Sequence, residues 1–230
     1  MNRDRSVART VGILYIMGTV SGIISVPLLN PRTTPDFLTE IAANQSTYTL
    51  GALMVLAMGF LLALIPAFMF PILKEYNVTL GVGYIIFRGA LETVTYIIQA
   101  ICFLSLSIFS AEYIAGGQNA ALIQPLGILL NKIPDFPMGS FAFGIGALIF
   151  YYALFKYKII PRWIPAYGIA AVLLHIISGV LVLLGAQENF DTGSLIMNMP
   201  IALQEIVMAG WFIIKGFNPV RRDVLSPQPG

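Results

Sequence analysis

Two fully charged side chains, Arg88 and Glu92, lie four positions apart inside an apolar stretch that runs from residue 82 to residue 111. Positions four apart share one face of a helix, so the guanidinium and the carboxylate can pair. An ionised group at the centre of a membrane helix costs about 2.5 to 3.5 kcal/mol on insertion scales, and such residues mark functional sites by default. The pair therefore indicates a polar site inside a membrane, suited to binding a polar solute or moving a proton.

A second acidic side chain, Glu205, lies in the last apolar stretch, and the only histidine, His175, lies in the stretch before it. Counted at ~1.5 Å per helical residue, Glu205 and His175 both lie near the middle of their stretches. Glu92 lies about one turn, and Arg88 about two turns, nearer the end of their own stretch that is predicted below to be cytoplasmic. We therefore expect all four side chains to converge. Because a low dielectric opposes the excess negative charge, we expect one glutamate to be protonated or His175 to carry a proton.

Uncharged polar side chains share helical faces with these charges. Gln99 follows Arg88 and Glu92 on one face, and Asn198 shares a face with Glu205. The predicted binding set is Arg88, Glu92, Glu205, His175, Gln99, Gln204 and Asn198.

A simpler interpretation of each residue stays open. Arg88 and Glu92 can neutralise one another as an architectural pair, and His175 can be a hydrogen-bonded core histidine. The amide side chains can join helices without binding anything else. No residue is assigned a catalytic role.

Composition decides what must position these side chains. Of 230 residues, 57% are hydrophobic and only 10% are charged, with a mean hydropathy of +0.83. Such a chain cannot cover a water-soluble globule, so we expect an all-α integral membrane protein. A helix needs about 20 residues to cross the hydrocarbon core. Six stretches are long enough, at residues 9–29, 48–72, 82–110, 138–155, 163–185 and 195–215.

Basic residues predict the orientation of these six helices. With the N-terminus inside, ten Lys and Arg fall in inner segments and only Arg32 and Lys132 in outer loops. Because basic residues concentrate on the cytoplasmic side, both termini are predicted to be cytoplasmic. We expect one transmembrane domain over residues 1–217 and a polar, disordered tail over residues 218–230.

Several local patterns add detail. Thr34 and Pro35 predict the start of a short amphipathic helix that ends at Asn44 in the first outer loop. The apolar segment 120–130 is interrupted by Pro125 and Gly127, so it either lies in the interface or partly re-enters the membrane. We expect Pro66 and Pro71 to kink or end the second helix.

Small residues at four-residue spacing predict close helix packing. Gly18 with Gly22, and Ala142 with Gly146, form such pairs. We expect them to pack helices within one chain rather than between two copies.

Residue counts exclude several kinds of site. The only cysteine, Cys102, rules out a disulfide within the chain and a cysteine metal site. One histidine with scattered glutamates offers neither bis-histidine haem ligation nor a three-ligand zinc site. No GxSxG motif supports a serine hydrolase. We therefore expect no cofactor, and the net charge of +2 is too small to indicate nucleic acid as a partner.

The chain resembles the domain-of-unknown-function 4386 family of six-helix, mostly bacterial membrane proteins. The resemblance is carried by Gln204-Glu205, Trp211 and Lys215-Gly216-Phe217 in the closing segment, by Arg88-Gly-Ala-Leu-Glu92, and by the opening run from Arg9. It implies a six-helix architecture and a multi-pass location in the bacterial inner (plasma) membrane. It implies no activity, and His175 lies outside the motif.

Three functions stay open. The leading hypothesis is binding or transport of a small polar solute or a proton by the buried cluster, with the lipid bilayer as the other partner. A structural or regulatory partner-binding protein is the alternative, and an intramembrane acid–base enzyme is the second alternative. Nothing in the sequence requires a homo-oligomer.

Overall fold

A computed structural model describes residues 3–116, 120–189 and 191–219 of the protein. In these residues the chain forms six long helical spans and two shorter helices, α2 (Phe37–Ala43) and α6 (Ala120–Lys132). Within those residues there is no β-strand. The helices are α1 (Arg3–Leu28), α2 (Phe37–Ala43), α3 (Gln45–Leu73), α4 (Val78–Tyr84), α5 (Glu92–Ile114), α6 (Ala120–Lys132), α7 (Met138–Lys156), α8 (Trp163–Leu183) and α9 (Thr192–Ile214). A π-helical turn, Ile85–Leu91, joins α4 to α5, so the third span is continuous from Val78 to Ile114.

The six spans are long and apolar enough to cross a membrane. They pack as a ring in the order α1, α3, the third span, α7, α8 and α9, and α9 closes the ring against α1. The outward faces are covered with exposed aliphatic side chains, as a lipid-facing surface requires. The protein is therefore a multi-pass, all-α membrane protein, as the composition predicted.

Both described chain ends lie at the same end of the bundle, which we call the terminal end. Gly216 packs beside Ala8 of α1, and the backbone N–H of Asn218 donates to the carbonyl of Ile159 at 2.8 Å. Arg3 pairs there with Glu75 at 3.1 Å. The predicted tail, apart from Asn218 and Pro219, lies outside the described residues, and the cytoplasmic orientation stays a prediction.

The opposite, or far, end is held together by Arg32. Its guanidinium donates to the side chain and the carbonyl of Asn131, both at 2.8 Å, and pairs with Asp135 at 2.7 Å. Asn189, from the α8–α9 connection, donates to the carbonyl of Asp135. These bonds join three connections of the ring across the far end.

Two local predictions need correction. The short helix of the first loop, α2, begins at Phe37 with Asp36 at its N-cap, because Asn30–Thr33 form a 3₁₀ turn and the Thr34 hydroxyl donates to the carbonyl of Pro31. The segment predicted to be broken at Pro125 is the continuous helix α6. α3 ends at Leu73, two residues after Pro71, in agreement with the prediction that the prolines mark the end of the second helix, although Pro66 lies inside it. Packing against neighbouring helices sustains a helix across a proline that propensity alone would place at its end.

Small residues bring helices together within the chain, as predicted. A Cβ on Gly18 would lie 2.7 Å from Leu62 of α3, and one on Gly22 would lie 2.7 Å from the sulfur of Met58. A Cβ on Gly146 of α7 would lie 3.0 Å from the backbone nitrogen of Arg88. Glycine at these positions therefore sets how closely the ring closes.

Gly12→Ala is expected to lower the free energy of unfolding by about 1–3 kcal/mol, the usual cost of overpacking. The added methyl carbon would lie 2.7 Å from the backbone oxygen of Ala209, so α1 and α9 must separate. Unfolding of the detergent-solubilised protein in SDS measures the effect. Gly210→Ala is the matched control, since nothing lies within 4 Å of its Cβ position. Equal stability of the two variants would contradict close contact between α1 and α9.

Candidate functional site

Arg88 lies in the π-helical turn of the third span. The backbone N–H of Glu92 donates to the carbonyl of Phe87, five residues back, instead of four. The Thr93 hydroxyl donates to the carbonyl of Gly89 at 2.7 Å in the same stretch. Such single π turns occur frequently at functional sites, because they rotate a side chain away from the regular helical register.

The Arg88 guanidinium is shared between two carboxylates, and we call Arg88, Glu92 and Glu205 the charge cluster. Nη1 donates to both carboxylate oxygens of Glu92 at 2.9 Å, and Nη2 donates to Oε1 of Glu205 at 3.0 Å. Arg88 is 2% exposed, Glu92 1% and Glu205 17%. The cluster therefore joins the third span to α9 across the interior of the ring.

Aromatic side chains surround the guanidinium. Its carbon lies 4.6 Å from the ring centroid of Phe143 and 5.8 Å from that of Tyr15. Rings at these distances stabilise a cation through their negative faces. The hydroxyl of Tyr96 donates to Glu92 Oε1 at 2.9 Å. In the described part of the chain, Arg88 Nε has no hydrogen-bond partner.

The two carboxylates differ in what they can still accept. Both oxygens of Glu92 are held by Arg88, and one also receives the Tyr96 hydroxyl. Glu205 receives one bond from Arg88, and no described residue donates to its Oε2. Glu205 is also the more exposed of the two. Glu205 is therefore the carboxylate that can accept a hydrogen bond or a proton from elsewhere.

A cavity of about 420 Å³ lies against the charge cluster on its far-end side. Arg88 and Glu205 are at its base, and the polar side chains of Thr95, Gln99 and His175 lie on its walls. The remaining lining residues are mainly glycine and apolar, and they come from α1, α3, the third span, α7 and α9, while His175 is the contribution of α8. A cavity of this size with a few polar groups is typical of small-molecule sites.

A layer of aromatic side chains closes the bundle on the other side of the cluster. The hydroxyls of Tyr15 and Tyr84 are 3.2 Å apart, and the Tyr84 ring stacks on Phe150 with centroids 4.4 Å apart. Tyr84 and Phe150 are at most 1% exposed. The cavity therefore ends at the charge cluster and does not continue to the terminal end.

The family described as "Domain of unknown function (DUF4386)" matches residues 10–216, which include every residue of the cluster and of the aromatic layer. The chain belongs to this family. The resemblance inferred from the Gln204-Glu205 and Arg88-to-Glu92 segments is thus confirmed. A search of curated proteins and a search of solved structures gave no match.

The structure joins three of the seven predicted residues of this DUF4386 protein in the charge cluster, and the other four form hydrogen bonds elsewhere. We expected His175 to join the charge cluster. It lines the cavity instead, and its Nδ1 is hydrogen-bonded to Asn198 Oδ1 at 2.7 Å. Gln99 lines the cavity and donates to the carbonyl of Pro134 at 3.2 Å. Gln204 faces α7, where it accepts a bond from Tyr151 at 2.8 Å. Asn198 and Gln204 therefore join helices.

Sequence reasoning missed the aromatic partners of the cluster. Tyr96 is four residues after Glu92, so helical spacing could have found it. Phe143 and Tyr15 carry no sequence signal, because they reach Arg88 from other helices. No group of three or more His, Cys, Asp or Glu in the described residues of this family member is placed to hold a metal ion.

Proposed function

We propose that the protein binds a small cationic solute, or a proton, at Glu205 on the base of the cavity. The observation that carries this proposal is one guanidinium shared by two carboxylates, with the unoccupied oxygen on the carboxylate that lines the cavity. With all three groups ionised, the cluster has a net charge of −1. A cation or a proton at Glu205 would neutralise the cluster in a medium where uncompensated charge is costly.

Transport is the extension of this proposal. We infer that the terminal end faces the cytoplasm of a bacterial inner membrane, because basic residues concentrate there and the far end has only Arg32 and Lys132 among described residues. The cavity then lies on the outer side of the cluster. Passage through the membrane would require the Tyr84 and Phe150 layer to separate.

Binding is tested with ethylammonium chloride as the probe and sodium chloride at equal ionic strength as the reference. We expect the melting temperature of the purified protein to rise with ethylammonium concentration, and the stabilisation to reach about 2.7 kcal/mol at a hundred times the dissociation constant. Glu205→Gln should abolish the rise. Glu188→Gln, the same change on an exposed far-end carboxylate, should leave it intact.

The proton alternative has its own measurement. Proteoliposomes that contain a pH-sensitive dye should show proton uptake under an imposed potential, and Glu205→Gln should remove it. If neither ethylammonium binding nor proton uptake depends on Glu205, the proposed function is wrong, and the cluster is architectural.

A further inference from the structure

The ring of helices is tight at the terminal end and open between α1 and α9 in its far-end half. At the terminal end, Gly12 of α1 is buried against Ala209 of α9. Further along the same face of α1, Thr19 is half-buried and Ile23 is 63% exposed. On α9, exposure likewise increases from Ala209 at 0% to Ala202, which is exposed. The two helices therefore diverge from the level of the charge cluster onward.

This divergence connects the cavity to the lipid-facing surface. Ile23 and Val26 of α1 and Ala202 of α9 line the cavity and are also exposed on the outside of the bundle. Pro200 lies at the same level of α9 and lacks the N–H that would bond the carbonyl of Ile196. We call the opening between Ile23, Val26 and Ala202 the α1–α9 cleft.

The cleft differs chemically from the base of the cavity. Its rim is aliphatic and faces the membrane, so a molecule that lies in it must have an apolar part. The base presents the unoccupied oxygen of Glu205, which attracts a positive group. An amphiphile with a cationic head satisfies both requirements at once.

We propose that the natural occupant of the cavity is an amphiphilic organic amine that enters sideways from the membrane through the α1–α9 cleft. Its ammonium group would bond Glu205, while its hydrocarbon chain would extend between α1 and α9 into the lipid. The proposal rests on the proposed function and names its substrate class and route of entry. A fully water-soluble cation would gain nothing from the apolar rim.

Dodecylamine and ethylammonium, which share a head group and differ in chain length, test the proposal on protein in lipid nanodiscs. We expect saturable binding of radiolabelled dodecylamine that Glu205→Gln abolishes. Each methylene buried in the cleft should raise the affinity roughly fourfold, so dodecylamine should bind at least a hundredfold more tightly than ethylammonium. Binding of dodecylamine that Glu205→Gln leaves unchanged is partitioning into lipid and would overturn the proposal.

Filling the cleft gives a second test. Ala202→Trp and, from the opposite side, Ile23→Trp should each weaken dodecylamine binding at least tenfold. Leu203→Trp is the matched control, because Leu203 is the next residue of α9, is 53% exposed and does not line the cavity. Two rim variants on different helices keep the test valid if one fails to fold.

The outcomes separate the two proposals. Glu205-dependent ethylammonium binding without any chain-length effect, or rim variants that behave like Leu203→Trp, would overturn the lateral route and leave the proposed function standing. A stable dimer that Ile23→Trp dissociates would also overturn it, because a second copy would then cover the cleft. Failure of both amines to bind, together with the absence of Glu205-dependent proton uptake, would defeat the proposed function itself.

Discussion

Arg88→Met is expected to lower the free energy of unfolding by about 3–5 kcal/mol, the usual consequence of removing one partner from a buried ion pair. Glu92, 1% exposed, would keep its carboxylate without a cation, and Glu205 would lose the one donor that holds it. Unfolding in SDS, followed by near-UV circular dichroism, measures the change. A loss below 1 kcal/mol would mean that the cluster contributes little to the fold.

The triple neutral variant R88M/E92Q/E205Q is the control for that result. Because it removes the charges together, it leaves no uncompensated ion, and replacing a whole buried ion cluster is often neutral or stabilising. We expect it to recover most of the stability lost in Arg88→Met while failing to bind ethylammonium. A triple variant as unstable as Arg88→Met would show that steric packing of the guanidinium, not charge balance, causes the loss.

The charge exchange R88E/E92R is expected to stay as unstable as Arg88→Met. Within an isolated helical pair, exchange would restore the attraction. Here a glutamate at position 88 would face the carboxylate of Glu205, and an arginine at position 92 would meet the donating hydroxyl of Tyr96. The same SDS unfolding curves decide the matter, since full recovery would mean that Glu205 takes no part.

An exposed pair supplies the matched exchange. R3E/E75R reverses a salt bridge whose side chains are 68% and 37% exposed. Solvent screens such a pair, so its exchange should change the unfolding curve little. A large loss of stability in R88E/E92R beside a small one in R3E/E75R would show that burial of the pair, and not charge reversal itself, causes the effect at Arg88.

Helix number and approximate position could be predicted from the sequence because they depend on local requirements. Every backbone polar group must be bonded inside the membrane, so each apolar stretch of about 20 residues becomes a helix. The pairing of Arg88 with Glu92 follows from helical spacing. The depth count placed Glu205 about two turns from Arg88, close enough for a long side chain to make it a second possible partner, and the two side chains are in contact.

Local rules failed where packing between elements decides the conformation. Pro125 ends a helix by propensity, yet α6 continues through it, with Gly127 beside Leu38 of α2. The π turn at Arg88 has no sequence signature that we recognise. A Cβ on Gly146 of α7 would lie 3.0 Å from the backbone nitrogen of Arg88, so glycine lets α7 pack against that turn, and only the packed ring shows this.

By itself, the sequence determined that the protein is a six-helix membrane bundle with charged residues inside its apolar spans, since hydrophobic length and helical spacing are properties of single segments. Only the tertiary structure decided which polar side chains of different helices meet. The rotation of each helix about its axis places Glu205 in the cavity but turns Gln204 toward Tyr151, and it leaves His175 with Asn198. That rotation depends on the packing of all six spans around the ring, which no single segment encodes.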